Sequence, residues 1–243
     1  MAQFQFTNID EISKRYLELL DTLCNEYGLR EAVEECNGQA SNLRYNWEYG
    51  PAADHLGLQL ANGATRLIIW DEYEDCVIKI QFDEGHNHYD NNYNELELAA
   101  YNAAVENGWE DMFAPVAKLF DYSFTDSIRV GVYAMAFCDC NQDEVENESY
   151  RRNFDKYCKE YGRDPDDEET QEEFSEDWYD YDGNYIESAL AYNGYQEHDY
   201  DKFCEFLRNQ RINDLHSGNW GYLDGRLVLV DYSGYGRRDG FDF

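Results

Sequence analysis

The sequence predicts an α+β fold: a five-stranded antiparallel sheet carrying one helix, then a mainly helical region closed by a short hairpin. Three observations predict it. Residues 55–82 and 113–137 carry apolar residues in alternation or in short aliphatic blocks, broken by turn formers such as Asn62-Gly63, the pattern of strands joined by tight connections. Residues 90–106 between them are rich in Ala and Leu, which favour helix. Residues 143–210 read as further helices, after which Trp220-Gly221-Tyr222 and Leu227-Val228-Leu229-Val230 flank Asp224-Gly225, a strong hairpin signal.

The elements follow in order. Residues 8–27 form an amphipathic helix, since Ile12, Tyr16, Leu19, Leu20, Leu23 and Tyr27 recur at spacings of three and four. Asn8 or Asp10 caps its start and Gly28 ends it, and a shorter helix over 29–37 stops at Asn37-Gly38. Leu56, Leu58 and Leu60 alternate with polar residues as a first strand, and Leu67-Ile68-Ile69-Trp70 is a second. Val77, Ile78, Ile80 and Phe82 make a third, with Lys79 set among aliphatics. Phe113–Tyr122 and Val130–Phe137 are the fourth and fifth. In the helix over 90–106, Leu98, Tyr101 and Val105 share the packed face and Glu97 flanks it. A carboxylate there can meet a lysine from the sheet. Glu95 lies about 200° round the helix from Glu97, so only one of the two points inward, and Glu97 is favoured. Later helices fall at 143–161, 168–179, 184–192 and 199–210, with Asp164-Pro165-Asp166-Asp167-Glu168-Glu169 as a turn or insertion.

Composition bounds the function. The 243 residues carry 52 acids against 19 bases, a formal net charge of −33. Such a surface repels nucleic-acid phosphates and anionic membranes, and three readings of it stand side by side: basic partners, mimicry of nucleic acid, and a high-salt habitat. With 43% hydrophobic and 16% aromatic residues, the chain still has the means to build a core and is not a disordered acidic tail. The seven cysteines cannot all pair, and neither a signal peptide nor a membrane-length apolar run is present, which points to reduced thiols in a cytoplasmic protein. Cys138-Asp139-Cys140 is the one close pair, without the second pair that a zinc site needs. The acidic runs over 139–200 read as solvated faces.

The chemistry concentrates in Asp214-Leu215-His216-Ser217-Gly218-Asn219 and Asp231-Tyr232-Ser233-Gly234. The hairpin between them brings two carboxylates and an amide to neighbouring ends of one small sheet, a hard-oxygen set suited to magnesium with a bound phosphate. Taken with Val77-Ile78-Lys79-Ile80 and Glu97, the order of these motifs resembles the protein-kinase-like superfamily, which includes aminoglycoside and choline phosphotransferases. Glu97 follows Lys79 by 18 positions and Asp231 follows Asp214 by 17, in agreement with that family. The Asp-x-His-Ser-Gly-Asn stretch is similar to that of small bacteriophage serine/threonine protein kinases. Two departures are visible: one glycine, Gly63, stands in the nucleotide loop, and Ile212-Asn213 replaces the His-Arg that precedes the aspartate in eukaryotic-type kinases.

The resemblance implies a two-lobed fold, with a helical extension over 1–50, a sheet-bearing N-lobe over 51–138, and a reduced, mainly helical C-lobe over 139–243 with an acidic insertion. Only nine residues follow Gly234, which leaves no room for the usual peptide-docking platform. It implies ATP and Mg2+ as cofactors, with Asp214 as the catalytic base and Asn219 and Asp231 as the metal ligands. Gly63 and Lys79 would serve the phosphates, Glu97 would pair with Lys79, and Met135 would back the adenine, with Ala136, Phe137 and Cys138 as the hinge. The expected reaction is phosphoryl transfer to a protein serine or threonine, in the host cytoplasm if phage-encoded. Two alternatives stand beside it: a small-molecule kinase of the aminoglycoside or choline kind, and an acidic kinase-like scaffold or DNA mimic that binds a basic protein.

Overall fold

The computed structural model describes residues 9–35, 58–62, 66–71, 76–81, 93–178 and 183–233. They form a mixed α+β chain with an antiparallel sheet and, among the described residues, seven α-helices. The chain divides into two compact units, Met1–Ala99 with Pro115–Phe137, and Ala100–Ala114 with Cys138–Phe243.

In the first unit, α1 (Ile9–Glu26) and α2 (Leu29–Glu35) precede strands β1 (Leu58–Asn62), β2 (Arg66–Asp71) and β3 (Cys76–Gln81). Helix α3 (Tyr93–Asn107) begins in this unit, and β4 (Val116–Ser123) and β5 (Arg129–Ala136) complete the sheet in the order β1-β2-β3-β5-β4. Every neighbouring pair is antiparallel. Alternation assigns the two faces. Leu67, Ile69, Cys76, Ile78, Ile80, Val130, Val132 and Ala134 share one buried cluster with Tyr16, Leu20 and Leu23 of α1 and Leu29 and Val33 of α2. Each large side chain so buried contributes about 1.5–3 kcal/mol, so the amphipathic stripe of α1 is used on the sheet. Tyr122 adds a polar tie, its hydroxyl donating to Asp21 at 2.9 Å, and the Arg30 guanidinium donates to the Phe124 carbonyl. The opposite face carries the rows Ile68–Lys79–Tyr133 and Trp70–Val77–Met135.

Two expectations are corrected here. The buried stripe of α3 runs through Asn94, Glu97, Ala100 and Ala104, whereas Leu98 is half-buried and Val105 is 46% exposed. The inward face of α3 in this unit carries polar groups matched to cations from the sheet, which a search for apolar periodicity passes over. The fourth strand also starts at Val116, not Phe113. Pro115 lacks the N–H that a ladder needs, and Phe113 instead bridges Leu229 in parallel in the second unit. The anticipated positions Asn8, Asn37-Gly38, Leu56, Gly63, Phe82 and Gly234 lie outside the described residues.

The second unit holds α4 (Gln142–Tyr161), α5 (Glu168–Trp178), α6 (Gly183–Tyr192), α7 (Tyr200–Gln210) and the hairpin β6 (Trp220–Leu223) and β7 (Arg226–Leu229). Asn141 caps α4, its side chain accepting from the Glu144 amide, and Gly162 ends it in the left-handed region at φ 62°. Asp224 (φ 49°) and Gly225 (φ 73°) give the hairpin two left-handed central residues, the conformation that Asp-Gly favours. Trp109, Phe113, Phe203, Phe206 and Tyr232 form an aromatic core with ring centroids 5.0–6.2 Å apart. Asn193 ties this core to the hairpin, since its amide donates to the Asp111 and Leu227 carbonyls and its oxygen accepts from the Leu227 amide.

Candidate functional site

The Asp214 loop is built from the end of α7. Arg211 closes that helix in the left-handed region at φ 60°, and the Ile212 amide donates back to Leu207. Ile212 and Leu215 are buried at 1% and 0% exposure, so they pin the loop from both sides. Asp214 between them keeps its side chain 39% exposed. Ser217–Asn219 then form a single 3-10 turn capped by His216, whose Nδ1 accepts from the Gly218 amide at 3.1 Å. That bond leaves the proton on Nε2, which lies 3.5 Å from Asp214 Oδ1. His216 thus serves hydrogen bonding within the loop.

Asn219 is buried, and its Nδ2 donates to the Asp214 carbonyl at 2.9 Å. The amide thus fixes the loop with its nitrogen. Trp220 locks the same turn from below through Nε1 to the Leu215 carbonyl at 3.0 Å. The Val230 amide donates to the Asn219 carbonyl at 2.9 Å, so Asp231 follows one residue beyond that pair at the open end of the hairpin. Tyr232 anchors Asp231 from the other side: it is 1% exposed, donates to the Ala114 carbonyl at 2.7 Å, and meets Phe113 edge-on. Ser233 Oγ donates to Asp231 Oδ1 at 3.2 Å.

One member of this site was not anticipated. Glu146 of α4 accepts from Ser217 Oγ at 2.6 Å and from Gln142 Nε2 at 2.9 Å. The Ser217 hydroxyl, then Gln142, hold its carboxyl below the ordinary glutamate range. The only sequence signal was a serine inside the loop, and its partner lies 71 positions away.

Among the described residues no group of three or more His, Cys, Asp or Glu side chains could hold a metal by itself. Asn219 and Asp231 offer one amide oxygen and one carboxylate. That is a fit for magnesium, which takes one or two protein oxygens and completes its shell with water and phosphate.

In the first unit the anticipated ion pair is formed. Lys79 Nζ lies 3.1 and 3.0 Å from the two Glu97 oxygens, while Glu95 is exposed and its carboxylate acts on the Tyr133 hydroxyl. A second cation, Arg66 of β2, reaches Glu97 Oε1 at 2.7 Å. Asn94 joins them, accepting from Arg66 at 3.4 Å and donating to the Lys79 carbonyl at 3.2 Å. Met135 is buried on the same sheet face as Lys79. Phe137 is half-exposed and stacks on Trp70 with centroids 4.8 Å apart and planes within 8°. Cys138 belongs to the second unit, buried against the backbone of Gly221. Gly63 lies outside the described residues.

The chain matches no protein-family model and no curated protein.

Proposed function

We propose that the chain is an ATP- and Mg2+-dependent phosphotransferase of protein-kinase-like, two-lobed fold, acting on a protein serine or threonine hydroxyl. The observation that carries the reading is the buried Lys79–Glu97 pair. A lysine at 5% exposure inside a strand is costly, and a helix carboxylate at two near-equal distances holds its ammonium in one place. That is what a fixed cation for nucleotide phosphates requires. The Asp214 loop supports the same reading from the second unit, through a partly exposed carboxylate on a loop whose backbone Asn219 fixes.

The roles divide by residue. Lys79 holds phosphate, Glu97 orients Lys79, and Met135, with the Ala136–Cys138 segment, serves the adenine. Asn219 and Asp231 hold the magnesium ion, which supplies charge neutralisation at the phosphates. Asp214 orients the acceptor hydroxyl and takes its proton late in transfer, with His216 Nε2 3.5 Å from its carboxylate. The N-terminal helices would form an extension to the sheet-bearing lobe, and the protein would work in the cytoplasm.

The test is incubation of the purified chain with labelled ATP, magnesium and a cell lysate, beside Asp214→Ala. Labelled proteins that disappear with the variant support the reading, and labelled small molecules shift the acceptor to the aminoglycoside or choline class. A second reading, an acidic kinase-like scaffold that binds a basic protein, is favoured by the −33 charge. Absence of both ATP binding and transfer in the parent would put that reading first.

A further inference from the structure

We infer that Arg66 is a positioning residue for nucleotide phosphate: it keeps the Glu97 carboxylate in place while Lys79 is shared with the ligand. The inference rests on the phosphotransferase reading and adds a residue to it. Arg66 opens β2 on the sheet face that carries Lys79, one diagonal step from it, with Ile68 and Gln81 as their cross-strand partners. Arg66, Lys79, Asn94 and Glu97 are 6%, 5%, 0% and 0% exposed. Arg66 touches Glu97 Oε1 at 2.7 Å, shorter than either Lys79 contact at 3.0 and 3.1 Å.

The physical need is simple. A carboxylate without water must keep a charged partner. In a pair made of one lysine and one glutamate, the ammonium that turns toward a phosphate weakens the only interaction holding the glutamate. Here the carboxylate is shared between two cations, so Lys79 can move toward an anion while Oε1 keeps its guanidinium. Arg66 suits the holding role because its charge is permanent and its planar fork is rigid, whereas the lysine ammonium is a mobile point charge. Asn94 fixes the arrangement, since it touches Arg66 and the Lys79 backbone from the turn of α3 that carries Glu97.

The experiment measures affinity for the magnesium complex of an ATP analogue that cannot transfer its γ-phosphate. Parent, Arg66→Met, Arg66→Lys, Lys79→Met, Glu97→Gln and the Arg66→Met/Glu97→Gln double variant are compared. Arg66→Met is expected to weaken binding about tenfold, which is about 1.4 kcal/mol, and Arg66→Lys to recover most of it. In the Glu97→Gln background, Arg66→Met should add little, because its effect passes through Glu97. A purely structural arginine would instead lower the melting temperature without this coupling. If Arg66→Met does not fold, Arg66→Gln takes its place in the same cycle. Parent-like affinity in the Arg66 variants, with Lys79→Met impaired, overturns the inference and leaves the phosphotransferase reading standing. Full additivity of the Arg66 and Glu97 losses overturns it in the same way. A parent that binds no nucleotide overturns both.

Discussion

At the scale of single residues, Asp214 and Asp231 are held differently, and their variants should fail differently. Asp214 is partly exposed between two buried anchors, and its carboxylate is not needed to close the loop, since Asn219 binds its carbonyl. Asp214→Ala should therefore bind ATP almost as the parent does and transfer phosphate about 10² to 10⁴ times more slowly. Asp231→Asn keeps shape but removes the carboxylate proposed for magnesium, so it should lose metal-dependent ATP binding. Equal nucleotide affinity of parent and Asp231→Asn at saturating magnesium would remove the metal role. Glu146 gives a test in pH. Its carboxyl titrates below the ordinary value, first because of the Ser217 hydroxyl. A depressed folded value means stability that is present above the range of a free glutamate and is lost as pH falls through the folded one. Ser217→Ala should raise the Glu146 titration midpoint toward the ordinary value. It should also cost about 1 kcal/mol near pH 7, the low side for a charged bond because the site is partly solvated, with the gap narrowing as pH falls through the glutamate range. Carboxyl NMR titration and denaturation at both pH values read this directly; an unmoved midpoint would sink the assignment.

At the scale of elements, the local signals were legible and the long-range ones were not. Asp224-Gly225 announced its hairpin because two left-handed residues have few sequence solutions. Lys79 was legible because it stands among aliphatics in a strand, whereas Glu97 was favoured for flanking a Leu98, Tyr101 and Val105 face and instead lies on the buried stripe itself. Arg66 was missed because the second strand was expected to start at Leu67, which left Arg66 in the nucleotide loop, whereas β2 starts at Arg66 itself. The edge position of β4 and the Glu146–Ser217 bond depend on residues far apart in the chain, and no local pattern encodes them. Gly221 shows a further constraint that the sequence hides. A Cβ there would lie 2.9 Å from Cys138 Cβ and from Cys140 Sγ. The close approach lets β6 pair with the 138–140 segment, where Asp139 and Tyr222 exchange both backbone bonds at 2.9 and 3.0 Å. Gly221→Val should thus cost about 1–3 kcal/mol by overpacking and break that bridge. A urea midpoint unchanged from the parent would show that the segment gives way freely.

At the scale of the whole molecule, charge decides how the protein responds to salt. Fifty-two acids face nineteen bases, so carboxylates outnumber the cations available to them; Lys156, for one, lies between Glu187 and Glu197. Each exposed pair is worth about 0–1 kcal/mol, whereas repulsion acts among all the unpaired carboxylates at once. Salt shortens the screening length from about 10 Å at 0.1 M to about 3 Å at 1 M, and weakens the many repulsions more than the few pairs. The melting temperature should rise by several degrees between these two sodium chloride concentrations. Association with a basic acceptor should respond in the opposite sense, because the same screening removes the attraction that draws it in. For a basic peptide substrate, KM should rise with salt while kcat changes little, since the Lys79–Glu97 pair is buried where screening does not reach. A melting temperature that falls as sodium chloride rises would mean that the paired charges outweigh the unpaired ones, and a KM indifferent to salt would remove the acidic surface from acceptor recognition.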